Sequence, residues 1–229
     1  MSVYKNFIKR VLDFIISLLG IIVLSPFLIL FSIIGYFKMN GNPYFIQLRP
    51  GKDGKIFKLL KFRSMSNKKD EFGNYLPDNV RLTKYGKWIR SSSIDEILEL
   101  FNILKGDMSF VGPRPFLVKD IVFMDDETMR RHSVRPGLTG LAQVNGRNNM
   151  PWEEKFVYDL DYVDNISFLL DAKIFVKTVL KVTGIIKTSD NEVDISVDYG
   201  DYLLNKNLIN KTEYETKLIK AKKIESEYI

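Results

Sequence analysis

Residues 90–115, RSSSIDEILELFNILKGDMSFVGPRP, decide how the rest of the sequence is interpreted. Three serines precede the adjacent acids Asp95 and Glu96. An apolar run with helical spacing follows and stops at Gly106, ahead of the stiff Gly-Pro-Arg-Pro sequence at 112–115. Serine favours the position before a helix, so we expect the two acids to lie in the first turn of a helix.

Two interpretations of this stretch are open. Free N–H groups and the helix dipole favour anions at a helix N-terminus, and Arg90 and Arg114 add positive charge at either end of the segment. That combination suits phosphate binding, with or without a divalent metal. Alternatively, Ser93 and Glu96 form a capping box, in which Glu96 only holds a backbone N–H. These residues alone favour the structural interpretation.

Composition excludes several classes of site. The 229 residues include 34 Lys and Arg against 28 Asp and Glu, and this mild excess suits contact with phosphates or an anionic membrane surface. There is no cysteine, so disulfides, thiol nucleophiles and cysteine metal sites are excluded. The one histidine, His132, excludes multi-histidine metal sites, and we expect it to be packed or at the surface.

Residues 14–37 form an uncharged apolar run of 24 residues. A straight helix of that length would measure about 36 Å, enough to cross a hydrocarbon core of about 30 Å. The run is too long for the apolar region of a signal peptide, so we expect it to stay as a membrane anchor.

The course of this membrane helix is open on the sequence. Pro26 removes a backbone donor at its middle, and Ser25 can bond a freed carbonyl. Basic residues flank both ends, whereas they normally mark only the cytoplasmic side. A re-entrant helix that breaks at Ser25-Pro26 and returns to the same face would satisfy this pattern. A proline-kinked span is the alternative.

The remaining segments predict an α+β fold, mostly helical, with a small β-hairpin at 44–48 and 55–60. Lys61 and Arg63 follow on one strand face and could bind a shared ligand or form a solvated basic edge. Helices are predicted at 116–131 and 152–164. Between them, Arg135 and Arg147 lie in a glycine-rich loop and are candidate ligand contacts.

These patterns divide the chain into three parts. Residues 1–40 hold the membrane-inserted helix, residues 41–187 a catalytic domain, and residues 188–229 a linker and a helical tail. Within the second part, residues 166–187 carry lysines four apart and predict a basic amphipathic helix. Such a helix suits either the membrane interface or packing onto the domain core.

Six strings occur in an order that resembles one known family. They are Lys9-Arg-Val-Leu-Asp13, Ser25-Pro26, Lys61-Phe-Arg-Ser-Met65, Asp95-Glu96, LKGDMSFVGPRP at 104–115 and RPGLTGLAQVNGR at 135–147. From about residue 3 to 187 the chain resembles the bacterial sugar transferases. These are monotopic polyprenyl-phosphate hexose-1-phosphate transferases, the initiating phosphoglycosyl transferases. The tail lies outside the resemblance.

The resemblance implies a reaction at the cytoplasmic face of the inner membrane. A UDP-sugar gives its sugar-1-phosphate to polyprenyl (undecaprenyl) phosphate, and UMP leaves. This is the first membrane step of exopolysaccharide, capsule, O-antigen or glycoprotein glycan assembly. The implied partners are the UDP-sugar, the polyprenyl phosphate and the membrane, with no nucleic acid. A homodimer and contacts with downstream glycosyltransferases stay open.

The resemblance also implies roles for individual residues. Asp95 would be the nucleophile that forms a covalent phosphosugar intermediate, and Asp95 and Glu96 would hold Mg²⁺, which helps to position the diphosphate. A set of basic residues would bind the substrate: Lys61, Arg63, Arg90 and Arg114 at phosphates, and Arg147 at the nucleotide. The family further implies the re-entrant helix, with both ends cytoplasmic.

Elementary chemistry agrees with these roles. An ordinary aspartate has a pKa of about 3.9, so it is ionised at neutral pH and can attack phosphorus once cations neutralise the diphosphate. Two alternatives remain. The lipid phosphate could attack directly, without a covalent intermediate. The chain could also be a membrane-anchored adaptor that binds anionic lipid or nucleic acid.

Overall fold

A computed structural model describes residues 3–146, 150–185 and 197–228. The fold is α+β and mainly helical, as predicted. Its helices are α1 Lys9–Lys38, α2 Asp78–Arg81, α3 Lys84–Ser91, α4 Glu99–Lys105, α5 Val118–Ile121, α6 Asp126–Met129, α7 Leu141–Asn145, α8 Trp152–Asp164, α9 Phe168–Val182, α10 Tyr199–Asn205 and α11 Lys211–Ser226. Its strands are β1 Tyr44–Pro50, β2 Ile56–Phe62, β3 Ser109–Val111 and β4 Gly137–Thr139.

The predicted hairpin is confirmed. Strands β1 and β2 pair, and the Gly51 N–H donates to the Lys55 carbonyl at 2.8 Å to close the turn between them. Asp53 and Gly54 both have positive φ there, which reverses the chain within a few residues. The hairpin places Lys61 at the end of β2 and Arg63 just beyond it.

The second sheet was not predicted. Strands β3 and β4 run parallel, with Ser109 opposite Gly137 and Val111 opposite Thr139. A Cβ atom at Gly137 would lie 2.1 Å from the Gly112 nitrogen, so the glycines let two backbones touch. The glycine-rich loop is therefore partly a strand, and its glycines serve backbone packing.

One predicted helix is wrong as a continuous element. Residues 116–131 form α5, α6 and the start of a 3₁₀ turn, Arg130–Ser133. Asp125 interrupts the run, because its side chain accepts from the Thr128 N–H and begins a new helix. The helix predicted at 152–164 is confirmed as α8.

The described residues fall into two compact units that do not follow the predicted three-part division. The first unit contains residues 3–13, 48–58 and 106–228 of the described chain, and the second contains Phe14–Gln47 and Leu59–Lys105. The predicted boundaries at residues 40 and 187 stay a prediction about function. The helical tail, α10 and α11, belongs to the first unit.

Each unit has its own apolar core. In the first unit, Val111 of β3 packs with Tyr162 and Val163 of α8 and Ile174 of α9. In the second unit, four buried side chains come from α1, β2, α3 and the start of the next helical segment: Leu28, Phe62, Ile89 and Leu98. Helix α1 therefore supplies core residues to a folded unit as well as an apolar surface.

Helix α1 continues through Pro26. The Ser25 hydroxyl donates to the Ile22 carbonyl at 2.8 Å, which is the local rebonding expected beside a proline. The predicted return of the helix to one membrane face at Ser25-Pro26 stays a prediction. One helix among the described residues, Tyr4–Lys38, is long and apolar enough to cross a bilayer, with a mean hydropathy of 2.8 in its most apolar window.

A buried carboxylate in the first unit joins three elements. Asp171 of α9 accepts hydrogen bonds from Tyr4 Oη at 2.6 Å, Lys9 Nζ at 2.6 Å and Tyr162 Oη at 2.7 Å. It is 7% exposed, so its charge depends on these donors rather than on water. The N-terminal turn, α8 and α9 are thus held by one side chain.

We expect Asp171→Leu to lower the free energy of unfolding by about 3–5 kcal/mol, because it leaves Lys9 and the partly buried Tyr4 hydroxyl without this acceptor. The Tyr162 hydroxyl keeps the Val111 carbonyl as its acceptor. Thermal or urea unfolding in detergent measures this. The control is Glu213→Gln on the exposed surface of α11, which should leave the midpoint unchanged. A loss for Asp171→Leu no larger than that of the control would contradict the structural role.

Candidate active site

The two acids lie on a 3₁₀ turn, Ile94–Glu96, between α3 and α4. Ser93 precedes the turn with φ 55°, a left-handed conformation that costs energy in a residue other than glycine. Its side chain makes no capping hydrogen bond, so the predicted capping box is wrong. The acids are also not in the first turn of an α-helix, since α4 begins at Glu99.

Asp95 is a buried carboxylate with an altered acidity. It is 9% exposed, and burial raises its pKa above the usual value. The negative charge of Glu96 raises this pKa further. Lys61 and Arg90 act in the opposite direction and lower the pKa. Asp95 therefore has a higher pKa than the ordinary aspartate assumed from the sequence.

Lys61 connects the hairpin to the acids. Its Nζ lies 2.8 Å from Glu96 Oε1 and 3.1 Å from Glu99 Oε1. Nearby, the Leu60 N–H donates to Asn102 Oδ1 at 3.1 Å, which attaches the edge of β2 to α4. Sequence reasoning missed Glu99, although its spacing of three residues from Glu96 could have indicated a shared face.

Arg90 reaches the same region through the packing of α3. A Cβ atom at Gly86 would lie 1.8 Å from the Ser64 carbonyl oxygen, so α3 rests directly on the chain that follows β2. One turn later, Arg90 Nε donates to Ser64 Oγ at 2.9 Å. The Arg63 N–H, next to Ser64, donates to the Pro43 carbonyl at 2.7 Å. The second unit thus contains five of the predicted site residues: Asp95, Glu96, Lys61, Arg63 and Arg90. The charges of Glu96, Lys61 and Arg90 act on Asp95, whereas Arg63 is placed only by its backbone contact with Pro43.

The carboxylates fit Mg²⁺ only in a limited way. Lys61 already contacts one oxygen each of Glu96 and Glu99, and the described residues contain no group of three or more metal-binding side chains. Mg²⁺ commonly takes one or two carboxylates together with substrate phosphates and water. The residues therefore fit a metal that arrives with a diphosphate and takes one or two ligands from Asp95 and Glu96.

Arg114 lies in the first unit, at the wall of a cavity of about 340 Å³. Its carbonyl accepts from Arg131 Nη2 at 2.6 Å, and Arg131 is itself bound to buried Asp159, which fixes the backbone at this point. Aromatic side chains, Phe116 and Trp152, line the same cavity. We call it the Arg114 cavity.

Three further predictions concern this unit. Arg135 Nε donates to the Gly106 carbonyl at 2.8 Å, so Arg135 makes a structural contact, and its contact with a ligand stays a prediction. His132 is buried, as one of the two alternatives expected, and burial together with Arg131 lowers its pKa to about 3. Arg147 lies outside the described residues.

Comparison with known proteins agrees with this geometry. Residues 4–184 match the family model described as bacterial sugar transferase. An uncharacterized sugar transferase, EpsL of Bacillus subtilis strain 168, is 49% identical over 176 residues, covering 76% of this chain and 87% of that protein.

Two longer relatives carry more specific names. The UDP-glucose:undecaprenyl-phosphate glucose-1-phosphate transferase of Klebsiella pneumoniae is 40% identical over 76% of this chain and 39% of its own. The UDP-N-acetylgalactosamine-undecaprenyl-phosphate N-acetylgalactosaminephosphotransferase of Aeromonas hydrophila is 36% identical over 76% of this chain and 43% of its own. This chain thus spans about two fifths of these two proteins, while it covers most of EpsL.

The family match runs through the apolar helix, both acids and the segment around Arg114, and it favours an enzyme over the adaptor considered from the sequence. The chain belongs to the bacterial sugar transferase family.

Proposed function

We propose that this protein transfers sugar-1-phosphate from a UDP-sugar to undecaprenyl phosphate and releases UMP, by way of a covalent phosphosugar on Asp95. The observation that carries the proposal is a buried carboxylate on a strained turn, with Lys61 and Arg90 acting on its charge. The names of the Klebsiella and Aeromonas relatives support the overall reaction.

Two displacements at one phosphorus complete the reaction. A carboxylate oxygen of Asp95 attacks the β-phosphorus, and the bond from that phosphorus to the bridging oxygen breaks, so UMP leaves with the electron pair. A phosphate oxygen of the lipid then attacks the same phosphorus. The aspartyl P–O bond breaks, Asp95 regains its carboxylate, and a polyprenyl-diphosphate sugar forms.

Charge decides whether the first step can occur. The carboxylate and the diphosphate repel each other, so cations must reduce the charge before they approach. We assign this role to Lys61, Arg63 and Arg90 in the second unit, and a phosphate contact to Arg114. When Mg²⁺ is bound through Asp95 or Glu96, it would withdraw electrons from the diphosphate oxygens.

Asp95→Asn tests the nucleophile. The variant should form no adduct with a UDP-sugar and show only background UMP release, because an amide is a poor nucleophile. The folded-state pKa of Asp95 is raised, so ionised Asp95 costs stability at neutral pH, and this cost disappears as pH falls and the group protonates in both states. The neutral amide should therefore leave the melting temperature unchanged or slightly higher.

The matched control is Asp78→Asn, the same chemical change on an exposed side chain of α2. Intact-mass spectrometry of wild type, Asp95→Asn and the control with donor alone gives the answer. If Asp95→Asn keeps transferase activity, Asp95 is not the nucleophile. A collapse in its melting temperature restores a structural role for this carboxylate.

The pH dependence of adduct formation tests the role of Lys61. The rate should fall as pH falls, since Asp95 must be ionised to attack, and the fall should begin above the range of an ordinary aspartate because the pKa is raised. Lys61 lowers that pKa, so Lys61→Met should move the midpoint to higher pH. Lys68→Met, which removes an exposed lysine of the same unit, should not. An unmoved midpoint in Lys61→Met would count against the electrostatic role.

Contacts of α1 within the second unit support a monotopic placement. A Cβ atom at Gly20 would lie 3.5 Å from Leu100 Cδ1, the ring of Phe31 lies 5.9 Å from that of Trp88, and Ser32 Oγ accepts from Tyr44 Oη at 2.9 Å. One face of the helix is thus packed along about 18 Å, from Gly20 to Ser32. A simple span would draw this charged unit into hydrocarbon.

The opposite face of α1 is apolar and exposed, and α9 offers a second apolar surface in the first unit. Val23 is 70% exposed on α1, and Val176, Val179 and Val182 of α9 are also exposed, whereas Ile174 is buried. The packing alternative for residues 166–187 is confirmed for the face that carries Ile174, and the membrane-interface alternative stays a proposal for the exposed apolar face. We propose that α1 enters only the cytoplasmic leaflet of the inner membrane and that α9 lies at its surface.

The chain lacks cysteine, so single-cysteine labelling tests the topology without background. In Ser2→Cys and Phe45→Cys, a membrane-impermeant maleimide should react at both positions from the cytoplasmic side only. Glu71→Cys in an exposed loop of the second unit marks the side of the catalytic residues. Labelling of positions 2 and 45 from opposite sides would establish a span and overturn the proposal.

A further inference from the structure

The described C-terminal segment, residues 197–228, lies beyond the part matched by the family model and yet forms part of the Arg114 cavity. Val197 and Asp198 line the cavity together with Arg114, Trp152 and Phe116. A segment outside the shared family core thus borders a concave site of a size typical for small ligands.

Polar contacts attach the start of this segment to the cavity wall. Trp152 Nε1 donates to the Val197 carbonyl at 3.0 Å, and the Tyr199 N–H donates to buried Asp120 Oδ1 at 3.0 Å. Lys119 forms an ion pair with Asp198. Residues of α5 and α8 therefore fix three consecutive positions of the segment.

Aromatic packing continues the attachment. The ring centroid of Tyr199 lies 5.0 Å from that of Trp152 and 5.1 Å from that of Phe156. Trp152 in turn lies 4.7 Å from Phe116. Aromatic pairs at such short distances attract each other beyond simple burial. The ring that lines the cavity and the ring from the C-terminal segment thus belong to one cluster.

Gly200 permits this close approach. A Cβ atom there would lie 2.5 Å from Phe123 Cε2, and Phe123 is itself buried with 6% exposure. Phe123 also stacks on Tyr214 of α11, with ring centroids 5.7 Å apart. A larger residue at position 200 would push α10 off the first unit without changing any side chain that lines the cavity.

We propose that residues 197–202 supply one wall of a nucleotide site in the Arg114 cavity of the first unit, with Val197 and Asp198 at its surface, and that this site binds UMP. This inference rests on the proposed function. Three basic residues line the cavity beside the aromatic rings: Arg49, Arg114 and Lys155. Its three carboxylates already have donors, since Asp198 pairs with Lys119, Asp159 pairs with Arg131, and Asp120 accepts from the Leu117 and Tyr199 N–H groups. This combination suits an anionic phosphate joined to a planar base. The C-terminal segment thereby becomes a determinant of nucleotide affinity that lies outside the family core.

Gly200→Val tests the wall. We expect the Kd for UMP and the KM for the UDP-sugar to rise about tenfold, equivalent to a loss of about 1.4 kcal/mol in binding. The KM for polyprenyl phosphate should not change. UMP binding is followed by the fluorescence of Trp152 in full-length protein in detergent. The background carries Trp88→Phe, which removes the only other tryptophan.

A second variant and a control accompany it. Tyr199→Ala removes the ring that packs on Trp152 and should act in the same direction if Gly200→Val fails to fold. Ile219→Gln changes a side chain of α11 that is 69% exposed, and it should leave both the UMP affinity and the KM values at their wild-type levels.

The outcomes separate this inference from the proposed function. A weaker UMP affinity with an unchanged lipid KM supports the wall. An unchanged UMP affinity in both Gly200→Val and Tyr199→Ala overturns it, as does equal weakening of donor and lipid. The same preparations are also tested for the adduct on Asp95. An adduct in wild type together with an unchanged UMP affinity in the variants rejects the wall but leaves the proposed transferase reaction in place. The absence of an adduct from wild type contradicts the proposed covalent reaction itself.

Discussion

The two ion pairs of Lys61 are the interaction on which the candidate site depends. One ammonium group lies within 3.1 Å of both Glu96 and Glu99, and it joins the end of β2 to the helical segment that carries the acids. Without that charge, the carboxylates of Glu96 and Glu99 would repel each other, and Asp95 would lose one of the two cations that lower its pKa. The lysine therefore allows Asp95 to be both buried and ionisable.

The site carries features that reduce stability and favour chemistry. Ser93 has a left-handed backbone conformation, and burial raises the pKa of Asp95. Both are costs that the packing of the second unit must offset, and such costs concentrate at functional sites. The core around Phe62 and Ile89 supplies that packing, and helix α1 contributes Leu28 to it. The helix proposed to enter the membrane thus also supports the turn that holds the proposed nucleophile.

In the first unit, close backbone packing shapes the Arg114 cavity. Gly112 and Gly137 let two backbone segments meet at atomic contact beside β3 and β4, and Arg131 then fixes the carbonyl of Arg114 from a buried position. The C-terminal segment joins this arrangement through Trp152. The residues that line the cavity are therefore far apart in the chain. For this reason, neither the cavity nor the contribution of residues 197–198 to it could be recognised in the sequence.

Local patterns in the chain were enough to predict the apolar helix, the hairpin and helix α8, because these depend on periodicity and turn residues. The order of the motifs also identified the acids and placed Lys61 and Arg90 with Asp95, but by resemblance to a family and not by distance. Only the folded arrangement decided that Glu96 pairs with Lys61 instead of forming a capping box, that Arg135 bonds to the Gly106 carbonyl, and that residues 197–198 border the cavity. The reason is that each of these outcomes depends on contacts between segments far apart in sequence, and such contacts leave no periodic signal.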